Sequence, residues 1–404
     1  MNIAFVNPEY PSLSGKDQGG IATYTYSMAS VLADGGHHVH ILVKRGIFPH
    51  GLHRSITVHD IEPVAPTGPF RRVNSIMKNE VSWERDFSRG VRQRLLAIHE
   101  RTPLDIVEVP EYNGLAFELY PPLPFPVVLH FHTPTVLVDR YNAVKITRHR
   151  KQWHAFEEKA GRNAFAFRCP SIALAREMSG LYGIAEHAIA ILHHPFDTTV
   201  FDAIGKKEKT ASIDILFVGR LERRKGAEIL LRTLQRILSL DPRIGFTFAG
   251  EYAIGEMDMF RGAIERSLSE ADRRRVWFLG PAKHAKLPIL YCRSDLLCFP
   301  SLFENAPFTL LEAMASKLGI VASNTGGIPE LVRHGENGLL FDPEKPDTLV
   351  ERIKEAIDNP QQTAMRASAA YSMLQNDFNP EKIRAQVLDF FGSVIASFRD
   401  KTLR

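Results

Sequence analysis

The segment "SLFENAPFTLLEAMASKLG" holds two carboxylates, Glu304 and Glu312, on either side of an almost wholly apolar run. From Phe308 to Leu318 only Thr309, Glu312, Ser316 and Lys317 are polar, so a helix here must be largely buried. A buried charge needs a partner, and removing one costs about 3–5 kcal/mol. Glu312 therefore answers either a distant arginine or lysine, or a ligand. The preceding "DLLCFPS" reads as a strand, which puts Glu304 at the C-terminal edge of a sheet, where open α/β folds bind ligands. Pro307 suits the first helical turn and Gly319 a left-handed stop. The helix N-terminus beside Glu304 offers N–H groups to an anion. Carboxylates accept from hydroxyls, so one anion seat between two of them suits a ligand with a phosphate centre and a polyol at each end. A nucleotide sugar has that layout.

A diphosphate carries more charge than one helix end can offset. "VGRLERRKG" supplies Arg220 and Lys225 just after another strand, as phosphate partners. Arg223 and Arg224, between them, read as a solvated basic loop. "SNTGGIPELV" repeats the strand–loop–helix design, with Gly326 and Gly327 permitting close backbone approach and a helix from Ile328-Pro329. In the N-terminal half, Gly19-Gly20 lie between a first strand and its helix, without the G-x-G-x-x-G spacing of a dinucleotide loop. No P-loop sequence occurs. "LHFHTP" sets His130 and His132 two apart at a strand end, hence on one face. They lack a third metal ligand. One is read as packed, and His132 as a hydrogen-bonding partner of substrate. Glu111 is read as an ordinary surface residue or, alternatively, as a ligand for an acceptor hydroxyl.

These groups need a scaffold, and 404 residues suit two domains, since single cores stop growing at roughly 250–300 residues. The net charge of +4 excludes a strongly basic nucleic-acid binder. No apolar run reaches the roughly 18 residues of a membrane span, and "MNIAFVNPEY" has no signal-peptide pattern, so a cytoplasmic protein is expected. Cys169, Cys292 and Cys298 fit neither a disulfide framework nor a zinc cluster. The basic stretch at 140–153 reads as a solvated helix face, with an anionic membrane surface or acidic acceptor as the alternative.

Short β-type runs alternate with helical patterns, the signature of parallel α/β sheets. "NIAFVN", "HHVHILV", "LDIVEVP", "FPVVLHFH" and "HAIAILHHPFD" read as strands of one half. "IDILFVG", "GFTFAG", "RVWFLG", "DLLCFP" and "GIVAS" read as strands of the other. The expected division is an N-terminal domain at 1–201, a linker at 202–211, a C-terminal domain at 212–375 and a helical tail at 376–404 that packs back on the first domain.

The spacing E-x7-E within "FPSLFENAPFTLLEAMA…GIVASNTGGIPELV…GENGLLF" resembles the retaining glycosyltransferases of family 4 with the GT-B fold. Gly19-Gly20, "GGHHV", "HFHT", "HPFD", "VGRLERRKG" and "FLGPAKHAKLPILYCRSDLLCFPS" fall in the family's order over nearly the whole chain. The resemblance implies two doubly wound Rossmann-like domains facing across a cleft. It assigns Glu312 to the ribose hydroxyls and Glu304 to the donor sugar. Backbone at Asn305, Ala306, Pro307, Phe308, Thr309 and Leu310 would hold sugar and phosphate. Arg220 and Lys225 would clamp the diphosphate, Gly20 would close over it, His132 would contact the sugar near the reacting carbon, and the base would lie near Leu279 and Gly280. Retention implies that a leaving phosphate oxygen takes the acceptor's proton, so no dedicated base is required. No Asp-x-Asp triplet occurs, and neither metal nor other cofactor is expected. The implied partners are a UDP- or GDP-linked hexose and a cell-surface glycan, free or lipid-linked, with peripheral membrane contact. The chain departs from the family at "AGEYAIGEM", and "ENAP" does not name the donor sugar. The competing readings are a nucleotide-sugar epimerase of the same fold and a two-domain sugar-binding protein without chemistry.

Overall fold

The computed structural model describes residues 1–7, 19–44, 53–65, 80–119, 122–204, 211–250, 257–281 and 286–402. The loop at 66–75, most of the expected linker and the departure at 251–256 lie outside them. The chain forms two compact units. Unit 1 comprises Met1–Asp139, Val144–Pro195 and Pro380–Arg404; unit 2 comprises Arg140–Ala143 and Phe196–Asn379.

Unit 1 is built on seven strands: β1 (Asn2–Val6), β2 (His38–Lys44), β3 (Ile56–Ile61), β4 (Ile106–Pro110), β5 (Val127–His130), β6 (Ala166–Cys169) and β7 (Ile189–Ile191). Unit 2 has six: β8 (Ile213–Val218), β9 (Ile244–Ala249), β10 (Val276–Gly280), β11 (Leu296–Phe299), β12 (Gly319–Ser323) and β13 (Leu339–Phe341). The orders are β3-β2-β1-β4-β5-β6-β7 and β10-β9-β8-β11-β12-β13. The paired strands are parallel in both sheets. Each order is the Rossmann arrangement, with its switch point between the first strand and the fourth.

The apolar runs follow from burial on both faces. Along β8, Ile215 and Phe217 enter one core layer while Leu216 and Val218 enter the other. β11 divides likewise, with Leu296 and Cys298 on one side and Leu297 and Phe299 on the other. A strand with period-two side chains and two covered faces reads as a continuous apolar word. Each such aliphatic or aromatic side chain contributes about 1.5–3 kcal/mol by leaving water.

Several expectations need correction. Units exchange at Pro195/Phe196, not at 202–211: a helix at Thr199–Ile204 buries Phe201 beside Tyr291 in the core of unit 2. The return to unit 1 falls at Asn379/Pro380 rather than 375/376. The last helix, Pro380–Thr402, belongs to unit 1, and its buried residues Ile383, Val387, Phe391 and Val394 recur at helical spacing. Only Ile189–Ile191 of "HAIAILHHPFD" is strand. Pro307 is the N-cap of helix Phe308–Ala315, not a first-turn residue. Gly319 does not end that helix by its φ. Lys317 takes the left-handed turn at φ 53°, and Leu318 N–H closes it on the Ala313 carbonyl at 3.0 Å. Gly319 opens β12, where a Cβ would meet Leu296 Cδ2 and Thr363 Cγ2, each at 2.5 Å.

Candidate functional site

In unit 2 the switch point lies between β8 and β11, so the loops leaving those strands flank the ligand edge. The first carries Arg220 and Lys225; the second carries Glu304. The structure brings Lys225 and Glu304 together, with Nζ 2.5 Å from Oε1. Arg224 joins them, its Nη1 donating to the same oxygen at 3.1 Å and its Nη2 to Glu222 Oε1 at 2.9 Å. Arg224 is buried, which corrects its reading as a solvated loop residue. The cause is local: Gly226 turns at φ 88°, and a Cβ there would strike the Pro300 carbonyl oxygen at 2.1 Å, so the loop presses onto the end of β11 and residue 224 faces inward. Arg223 is partly exposed and pairs with Glu228. Arg220 is half-exposed, 3.4 Å from Glu222. Burial opposes ionisation of Glu304, but Lys225 and Arg224 outweigh it and hold the carboxyl below the usual range.

The stretch after Glu304 is tightly seated. Asn305, Ala306, Pro307 and Leu310 are buried, whereas Phe308 and Thr309 are half-buried. Helix Phe308–Ala315 starts behind Pro307, whose side chain makes no capping hydrogen bond, and its positive end faces this turn. The glycine pair behaves as expected. Gly327 N–H donates to the Glu304 carbonyl at 2.7 Å, and a Cβ on Gly326, at φ 55°, would lie 2.3 Å from that oxygen. Glu312 is buried and accepts from the Tyr291 hydroxyl at 2.7 Å. Burial, then the charge of Glu312, pushes the Tyr291 phenol far up, so it remains a donor. Sequence reading missed Tyr291, whose signal was a lone tyrosine in the apolar helix Leu287–Arg293. Leu279 and Gly280 end the edge strand β10, with Leu279 half-exposed and Gly280 at φ 72°. Three strand spacings, about 14 Å, separate β10 from β11.

In unit 1, Gly20 opens the 15-residue helix Gly20–Asp34 behind an N-cap glycine, and among the described residues nothing beyond its chain neighbours and its own helix backbone lies within 4 Å of a Cβ built on it. His130 and His132 are both buried, with ring centroids 4.1 Å apart. His130 Nδ1 lies 3.1 Å from Glu108 Oε1. Among the described residues, no group of three histidine, cysteine or acidic side chains is placed to hold a metal ion. Glu111 is buried rather than a surface residue: both its oxygens accept from His132 N–H, at 3.0 and 2.9 Å. Its neighbour Glu157 accepts from Asn113 N–H, Thr135 N–H and the Thr135 hydroxyl, so two sunken carboxylates hold the turn after β5.

Burial pushes the Glu111 carboxyl up to about 8, against the opposing His132 amide. A carboxyl raised in the folded state makes that state bind more protons between about pH 4.5 and about 8. Stability therefore falls as pH rises through this window, by at most about 1.4 kcal/mol per pH unit. Urea unfolding at a series of pH values should show that slope flattened in Glu111→Gln. An unchanged slope would place the titration elsewhere.

No helix among the described residues is long and apolar enough to cross a membrane. Arg148 and Lys151 are exposed on helix Arg148–Arg162, whose Trp153 is buried.

A family model described as Glycosyltransferase Family 4 matches residues 18–200, and one described as Glycosyl transferases group 1 matches residues 201–373. The chain is 25% identical over 390 residues to a glycogen synthase of Mycobacterium tuberculosis, covering 94% of this chain and 91% of the relative. Its fold is similar to that of a sucrose-phosphate synthase from Thermosynechococcus elongatus, with a TM-score of 0.79, 18% identity and coverage of 98% and 99% of the two chains. Anabaena HepE, solved in complex with UDP-glucose, superposes with a TM-score of 0.71 at 19% identity, covering 97% of this chain and 100% of that one.

Proposed function

The chain belongs to glycosyltransferase family 4 and has the GT-B pair of Rossmann-like units, and on that premise we propose that it moves a hexose from a nucleoside-diphosphate sugar to a glycan hydroxyl with retention at the anomeric carbon. The observation that carries this reading is the cluster of Lys225, Arg224 and Glu304 at the switch point of unit 2, one turn before a helix N-terminus. Lys225 and Arg220 meet the diphosphate and offset charge as it leaves. Glu304 accepts from hydroxyls of the sugar. Glu312, held by Tyr291, accepts from the ribose, while Leu279 and Gly280 bound the base. The distance from β10 to β11, about 14 Å, is on the scale of an extended nucleotide sugar. Gly20 and His132 keep the roles implied by the resemblance, at phosphate and sugar respectively.

A glycan acceptor is supported by the likeness to glycogen synthase over almost the entire chain, and a nucleotide-sugar donor by the UDP-glucose held in the HepE fold. The proposed acceptor is a cell-surface polysaccharide or glycolipid. The cationic side chains of the β8 loop supply the charge balance, so transfer should persist in EDTA.

Mass spectrometry of reactions with UDP-, GDP- and ADP-hexoses tests the reading. A glycoside whose anomeric configuration matches the donor supports it. An epimerised nucleotide sugar formed without acceptor would assign the chain to isomerisation instead. Within this scheme Glu312→Gln raises donor KM by about 10- to 100-fold, the loss of one charge-assisted hydrogen bond. An unchanged KM would remove Glu312 from the ribose.

A further inference from the structure

Three neighbouring strands of unit 1 place ionisable groups on one sheet face. His130, at the end of β5, is in register with Pro110 of β4 and Arg168 of β6. Glu108 lies two residues before Pro110 and therefore shares that face. All three are almost fully buried. Glu108 Oε2 accepts from Arg168 Nη1 at 3.1 Å. Glu108 Oε1 accepts from the Tyr24 hydroxyl at 2.5 Å and lies 3.1 Å from His130 Nδ1. Tyr24 comes from helix Gly20–Asp34, which covers this face, and its ring meets those of His130, His132 and His194 at 4.4, 5.2 and 4.8 Å.

The protonation pattern follows. Burial pushes the Tyr24 phenol well up, so it donates. Burial and the nearby Arg168 charge push the His130 imidazole well down, so the ring carries one proton. A ring with one proton facing a carboxylate through Nδ1 keeps the proton there. Its other nitrogen, Nε2, is buried and has no partner among the described residues. Glu108 is thus the anchor of the His130 ring, and the His132 ring lies 4.1 Å from it at 36°.

We propose that Glu108 is a positioning residue for transfer: by fixing the His130 proton on Nδ1 it holds that ring as the floor on which His132 rests. The inference depends on the reading that His132 meets the donor sugar. Misplacing a reacting contact by about 1 Å costs roughly a hundredfold in rate, so a loosened floor should cost kcat rather than donor binding.

The test uses the whole protein labelled with 15N-histidine. In the wild type, His130, identified by its missing signals in His130→Gln, shows the neutral Nδ1–H tautomer. Glu108→Gln mixes the tautomers and lowers kcat about 10- to 100-fold, with donor KM within about twofold. Should Arg168 left without its carboxylate unfold that variant, the double variant Glu108→Gln/Arg168→Met removes both charges and should melt cooperatively with the same loss of kcat. His132→Ala is measured in parallel. A folded Glu108 variant with wild-type kcat beside an inactive His132→Ala overturns the positioning role alone, as does a wild-type proton on Nε2. Wild-type transfer by His132→Ala overturns the reading beneath it and the inference with it.

Discussion

Lys225→Ala and Glu304→Ala each lower kcat/KM for the nucleotide sugar by about 10²–10³-fold, the range for deleting one preorganised electrostatic contact to developing charge. Initial rates with a labelled donor measure the loss, and thermal melts show that it is chemical. Lys225→Ala leaves Glu304 paired with Arg224 at 3.1 Å, so no unpaired buried carboxylate results. Glu304→Ala leaves Lys225 partly open to water and Arg224 on Glu222 at 2.9 Å. Folded variants that turn over at the wild-type rate would remove the β8 loop and Glu304 from the site.

The second large effect is on stability. Arg224→Ala withdraws the cation shared by two buried carboxylates, Glu222 and Glu304. Glu222 then keeps only the longer contact to half-exposed Arg220 among its ion pairs in the described residues. Breaking a buried ion pair from one side costs about 3–5 kcal/mol. For a unit of this size that corresponds to a melting temperature lower by on the order of 10 °C. The pH dependence carries a definite sign. The Glu304 carboxyl is depressed in the folded protein, so its contribution is present above the unfolded value near 4.5 and is lost as pH falls through the folded one. Arg224→Ala should shrink that acid-side loss. A melting curve matching wild type at neutral pH would mean that water already balances the cluster.

The parts of this arrangement legible in sequence were those that repeat or alternate. Strands such as β8, β11 and β12 are continuous apolar words because both faces are covered. The placement of Lys225 and Glu304 at two strand-to-loop edges of one sheet was legible; that the two side chains pair with each other was not. Arg224 was not legible, because in "ERRK" nothing separates it from Arg223 until the Gly226 turn directs one inward. Glu111 looked like a surface residue because "PEYNG" is turn-like and polar. Its burial comes from the amide of His132, twenty-one residues later in the chain. Arg168 was hidden for a related reason: "FAFRCP" makes a poor strand alone, and the charge is tolerated only because β4 supplies Glu108. β3, β6 and β13 were missed, the first two for their polar or charged residues and the third for its three-residue length.

The return of helix Pro380–Thr402 to unit 1 has a bearing on how the protein is made. Gly35 leaves room for Arg384 beside helix Gly20–Asp34, and Phe165 meets Phe398 edge-on at 5.2 Å. A nascent chain emerging from the ribosome can complete unit 2 while unit 1 still lacks its final helix. Expressed by itself, the segment 1–195 would present an uncovered greasy strip, so its solubility should depend on supplying residues 380–402 in trans.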